Sequence, residues 1–206
     1  MVVPKITAGQ ADEMVGRGWF VGYTPEVDLH EGLVTVDEFD ADARADALRS
    51  SEYAVFGGGL AVRGTMNLDA DPCRSIYVVQ EVLHARRLIL GDAVLDVQGV
   101  VEVDEWLFGS QTEGLFEVMG RSIDSPGDAD VMLEHVRAPL LVLYDRNRGT
   151  FVLRERGEPR DVTDLLPDLL DDDEWSSVGV FDTVAELRVN DKLLRERLCD
   201  GAPVFR

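Results

Sequence analysis

Cysteine is nearly absent: Cys73 and Cys199 are the only two in 206 residues. Two thiols so far apart in sequence cannot build the disulfide framework of a small secreted domain, and they fit a reducing cytoplasm. Basic side chains are also in short supply, 20 Lys and Arg against 40 Asp and Glu, which leaves a formal net charge of −20 and a pI near 4.3. A field of that sign repels nucleic acid and anionic membrane and draws in basic proteins, although the same excess also serves solubility. No apolar run approaches the length of a membrane span, and Met1–Lys5 leads into no signal-peptide core. The histidines are three, His30, His84 and His135, without metal-ligand spacing among them. His-Glu-x-x-His, Gly-x-Ser-x-Gly and Cys-x-x-Cys are all missing. These absences predict a chain that is not an enzyme and that uses no cofactor and no metal.

What is present is a short apolar phrase said several times. It occurs as Leu60-Ala61-Val62-Arg63-Gly64, Tyr77-Val78-Val79-Gln80-Glu81, Leu95-Asp96-Val97-Gln98-Gly99 and Phe116-Glu117-Val118-Met119-Gly120, with valines stepping by 17, 18 and 21 residues. Three ordinary strands and their turns occupy roughly eighteen residues, a period that signals a stacked array. Leu83, Ile89, Leu95, Val101 and Leu107 are spaced six apart, as if each took the same inward position. Period-two alternation places Val97, Val101 and Val103 on one face and Gln98, Glu102 and Asp104 on the other. An antiparallel sandwich would alternate similarly, but Asn-Gly and Asp-Gly hairpin turns are missing between these runs. The pattern predicts a mainly β fold, a parallel β-helix of about five coils with helical caps at both ends.

Three segments follow from that reading. Residues 1–52 form an N-terminal segment and capping helix, 53–160 the β-solenoid, and 161–206 a C-terminal helical cap. Within the first, 1–36 is irregular, with Gly16–Tyr23 as a short strand in which Trp19, Phe20 and Tyr23 pack, and Asp37–Arg49 reads as a helix with Asp40 at its N-cap. Gly57-Gly58-Gly59 lacks the Lys-Ser/Thr of a phosphate loop. Arg121–Asp130 has the composition of an inserted loop, after which 136–145 repeats the layout of 83–92 and 151–157 reads as a last coil. Leu165, Leu166, Leu169 and Leu170 make a helical stripe among acids, and a second helix runs from about Asp182 to Leu198.

The phrases LAVRGTMNLDA, VVQEVLHARRLILGDAVLDVQGVVEVDEWLFG and VRAPLLVLYD, with the ending LLRERLCDGAPVFR, resemble a group of bacterial β-solenoid proteins. That group is similar in repeat style to the polymer-forming bactofilins, and some members are associated with polymorphic toxin loci as immunity proteins. The resemblance covers about residues 37–206 and implies a right-handed parallel β-helix with helical ends. The chain departs from the style at Val79-Gln80-Glu81, where a Gly-Asp corner is expected, and at the loop 121–130.

Functionally, the leading expectation is a cytoplasmic, non-catalytic acidic binding protein, a monomer or small oligomer that covers the active surface of a basic partner, a cognate toxin domain. The residues expected to meet that partner are Asp161, Asp164, Asp168, Asp171, Asp172, Asp173 and Glu174, with Glu102, Asp104, Glu105 and Trp106 on the β region. No nucleic acid or membrane partner is expected. Two alternatives stay open: a bactofilin-like scaffold that self-associates through its ends, and a solenoid enzyme using Asp69, Asp71 and Arg74 or a histidine such as His84.

Overall fold

The apolar phrases become strands that go alternately to two sheets. A computed structural model describes residues 3–40, 52–69, 75–91, 93–111, 115–118, 121–122, 135–145, 150–171 and 188–206. In chain order these hold β1 (Lys5–Thr7), α1 (Ala8–Val15), β2 (Glu26–His30), β3 (Val34–Val36), β4 (Phe39–Asp40), β5 (Tyr53–Phe56) and β6 (Leu60–Asn67). Next come β7 (Ile76–Val79), β8 (Val82–Leu90), β9 (Val94–Val97), β10 (Val100–Gln111), β11 (Leu115–Val118) and β12 (Arg121–Ser122). The remainder is β13 (Val136–Arg137), β14 (Leu140–Asp145), β15 (Thr150–Glu155), β16 (Glu158–Pro159), two 3-10 turns, β17 (Leu170–Asp171), β18 (Arg188–Val189) and α2 (Asp191–Asp200).

The first sheet has the order β1-β2-β5-β7-β9-β11-β12, and the second β16-β15-β14-β10-β8-β6-β3, with β13 beside β10 and β4 beside β6. Pairing is parallel through the middle of each sheet. At the margins it turns antiparallel, in β1/β2, β11/β12, β14/β15 and β15/β16.

The expected right-handed β-helix of about five coils, capped by a helix at each end, is therefore overturned: the fold is mainly β, with two helices among the described residues, two large sheets of mixed direction and a small antiparallel pair, β17 with β18. Connection length supplies the reason. A parallel return needs a dozen or more residues, whereas a few suffice for an antiparallel reversal. Only residues 146–149 separate β14 from β15, and only Met119 and Gly120 separate β11 from β12. Segment 151–157, expected as a last coil, accordingly runs back along β14, with Val142 opposite Leu153.

The helices differ too. Phe39 and Asp40 lie in a strand, paired with Met66 and Asn67, where a helix over 37–49 was expected; residues 41–49 lie outside the described set. The leucine stripe after Asp161 forms 3-10 turns at Val162–Asp164 and Pro167–Leu169, because Pro167 lacks an N–H and biases Leu166 away from helical backbone. The last helix starts at Asp191, capped by Asn190 Oδ1 on Leu193 N at 2.9 Å and closed by Gly201 at φ 67°. Positions 182–187 of its expected start are not described. Conversely, α1 stands in a stretch expected to be irregular. Its Thr7 and Gln10 form a reciprocal capping box, and Gly16 at φ 68° ends it.

The core between the sheets follows the repeat closely. Phe56, Val79, Val97 and Val118 occupy one register row of the first sheet. Val62 belongs instead to the second sheet, in the row Val36, Val62, Ala85, Val103. Leu83, Leu95, Val101 and Leu107 join this core, while Ile89, equally buried, faces the other way into a second cluster with Trp106, Phe108, Leu165, Leu169, Leu194 and Leu198. The internal match of 83–92 with 136–145 is a true structural equivalence. Leu83 and Val136 both pair Val101, Leu88 and Leu141 both pair Leu107, and Ile89 and Val142 both pair Phe108.

A third cluster lies on the outer face of the first sheet, where Ala8, Ala11, Val15 and Phe20 cover Val27, Val55, Ile76 and Val78. Phe20 is buried and Trp19 partly so, but Tyr23 is exposed, and Gly16–Tyr23 forms turns, with Gly22 at φ 101°, where a strand was expected. This segment is pinned by polar groups. Asp12 accepts from Phe20 N and Val21 N, both at 2.9 Å. Gln80 and Gln98 donate to the Met14 and Val15 carbonyls at 3.3 and 2.6 Å, satisfying acceptors that a helix end leaves open. The departure from the repeat at Gln80 thus has a structural purpose. Trp19 Nε1 donates at 3.1 Å to Asp96 Oδ2. Asp96 is completely buried, and burial raises its pKa against the opposing pull of the Trp19 hydrogen bond and the Arg17 charge.

Candidate binding surface at the sheet corner

The second sheet is irregular along one line. Register shifts fall between Val62 and Thr65 and between Val103 and Trp106 as β6 and β10 pass β8. At that line β8 spends one residue, Arg86, where β6 spends Arg63 and Gly64 and β10 spends Asp104 and Glu105. Such bulges bend a strand and re-aim its side chains. Beyond the bend of β10, Leu107 faces the main core, while Trp106 and Phe108 face the outer cluster under α2 and the C-terminal tail.

The bend also gathers charge. Glu105 accepts from Arg87 Nε at 2.5 Å and Arg86 Nε at 2.7 Å. The Arg87 hydrogen bond, reinforced by Arg86, holds the Glu105 carboxyl below the usual range in spite of partial burial. The Arg87 guanidinium lies 5.8 Å from the Trp106 ring centroid, within cation–π range. Asp104 meets His84 Nε2 at 3.0 Å, and Glu102 meets Arg137 at 3.2 Å. Both of the latter pairs are open to solvent.

Two grooves flank this corner and share Pro139. The corner groove, about 470 Å³, is lined by Glu102, Val103, Asp104, Val136, Arg137, Ala138 and Gly157. The tail groove, about 460 Å³, runs from Arg87, Glu105 and Trp106 past Leu140 and Arg156 to Leu198 and Pro203–Phe205. The tail itself lies along the 3-10 turns, with Leu166 N on Val204 O at 2.9 Å and Arg206 N on Asp164 O at 3.0 Å.

Of the acidic residues expected to meet a partner, the structure thus brings Glu102, Asp104, Glu105 and Trp106 together, with Trp106 buried. Asp161, Asp164 and Asp168 form a separate group whose described contacts are internal. Asp161 accepts from Thr163 N at 2.8 Å and Thr163 Oγ1 at 2.7 Å, and those bonds lower its pKa. Asp164 lies 3.9 Å from Arg160, and Asp168 is bonded to Arg197 of α2. Asp171 falls in β17, while Asp172, Asp173 and Glu174 lie outside the described residues.

Of the alternative enzyme residues, Asp69 pairs with Arg195 and His84 with Asp104, while Asp71 and Arg74 lie outside the described residues. His30 stacks on Phe56 at 4.9 Å, with its pKa lowered by burial against the pull of Asp28. No cluster of three metal-ligating side chains occurs among the described residues. Nor is any helix among them long and apolar enough to cross a membrane.

Residue-by-residue reading missed the arginines that complete this surface. A signal for them existed: register pairs His84 and Arg137 with Glu102, and Arg87 with Trp106, so the same step that aligned the valines aligns opposite charges. No protein-family model, curated protein or solved structure matches the chain.

Proposed function

We propose that this chain is a non-catalytic binding protein for a basic partner, an immunity-type inhibitor that covers the active surface of a bacterial toxin domain in the cytoplasm. The observation carrying this reading is the pair of solvent-exposed carboxylates, Glu102 and Asp104, held beside an open groove on a chain of net charge −20. Exposed ion pairs contribute little stability, so an incoming Lys or Arg displaces Arg137 or His84 at small cost. The surplus negative field speeds encounter with a positive surface.

The test is capture from native cell extract with the full chain as bait, washed at moderate salt, alongside the double variant Glu102→Gln, Asp104→Asn. Support is a single basic protein that is retained, loses its own activity when bound, and is released by the double variant. Recovery of the bait alone, or a partner indifferent to the double variant, counts against the proposal.

A further inference from the structure

We infer that the tail groove is a binding site for a small apolar carboxylate, with Arg156 as its anion-binding group. The groove's volume of about 460 Å³ lies within the range of small-ligand pockets. Its walls include Trp106, Leu140, Leu198 and Phe205, which supply an apolar lining. Among its charged residues, Arg87 is committed to Glu105 at 2.5 Å, and Glu155 to Arg160 at 2.8 Å. Arg156 is exposed and has no ion-pair partner among the described residues. One positive charge is therefore left over on an apolar groove, and a carboxylate complements it without displacing any existing pair.

The backbone supplies the second argument. Arg156 is the one described non-glycine residue at positive φ, 52°, and Gly157 follows at 85°. A two-residue hairpin of this kind favours Asn, Asp or Gly at its first position, and a long side chain there is strained. The turn is tied to the groove wall by Arg156 N donating to Pro139 O at 2.6 Å. Local stability is thus traded for an arginine in the lining of the groove, and its guanidinium is the group best suited to two-pronged carboxylate recognition. This inference does not rest on the basic-partner reading, which uses the neighbouring groove.

The experiment titrates the full chain with 4-phenylbutyrate and its neutral amide by calorimetry, in the parent and in Arg156→Asn and Arg156→Gly, whose replacements suit the left-handed turn. The acid is expected to bind at least about tenfold more tightly than the amide. Both variants are expected to unfold at the same or higher denaturant concentration while losing that preference. Equal affinity for acid and amide, undiminished acid binding by folded variants, or no saturable binding of either compound to the parent would overturn the assignment. A fall in stability of both variants would overturn the strain on which it partly rests.

Discussion

The contact between Trp19 and Asp96 offers a quantitative test of how the N-terminal segment is held. Asp96 has no solvent exposure, one oxygen accepts from Trp19 Nε1 at 3.1 Å, and its other oxygen has no hydrogen-bond partner among the described residues. A hydrogen bond to a charged group contributes about 1.5–3 kcal/mol, and leaving a buried polar atom unpaired costs about 1–3 kcal/mol. Trp19→Phe keeps most of the ring but removes the donor, so a loss of about 2 kcal/mol is expected. Asp96→Asn keeps an acceptor for the indole while removing the buried charge, and should be neutral or stabilising near pH 7. The sign with pH follows from the raised pKa of Asp96. Protonation is easier in the folded chain than in the unfolded one, so the favourable contribution is complete below the unfolded pKa and is lost as pH rises through the folded value. The parent should therefore be stabilised relative to Asp96→Asn on going from pH 7 to the acid side. Urea unfolding of both chains across that interval, monitored by tryptophan fluorescence and repeated for Trp19→Phe, gives the numbers. A parent-to-variant difference independent of pH, together with a silent Trp19→Phe, would refute this account.

Other perturbations address separate parts of the fold. A Cβ at Gly99 would fall 1.5 Å from the Glu81 carbonyl oxygen, so Gly99→Ala should cost about 3 kcal/mol or more by forcing adjacent corners apart, measurable by chemical denaturation. Leu194→Ala removes a fully buried side chain from the cluster beneath the tail and should cost about 2–5 kcal/mol, with earlier proteolysis of the C-terminal residues. Thr7→Ala breaks the capping box of α1 and should cost about 1 kcal/mol, with faster amide exchange at the start of that helix.

How far these features were legible in the sequence differs by element. The apolar phrases located the central strands, and the match of 83–92 to 136–145 reproduced a register that the strands adopt on either side of β10. The capping box at Thr7 and Gln10, with Gly16 behind it, was equally legible but lay in a segment without strong apolar periodicity. The antiparallel margins were harder to see, because a strand's composition says nothing about its direction; the short connectors before β12 and β15 were the warnings. Pro167 similarly warned against a helix through a leucine stripe that would otherwise suit one. At the candidate site, counting carboxylates exposed an acidic excess but not its neutralisation: Glu105 reads as a free charge until Arg86 and Arg87 arrive from the neighbouring strand. Arg156 gives no signal at all in the sequence beyond preceding a glycine.

By itself, the sequence determined where the central strands occur, which apolar positions of the repeated phrases are buried and the sign of the protein's field, since all three depend on residue type and local spacing. Tertiary structure alone decided strand direction, the bend of the second sheet, the partner of each carboxylate and the groove under the C-terminal tail. Those depend on distances between residues far apart in the chain, and such distances exist only once the two sheets, the tail and the N-terminal cover have packed together.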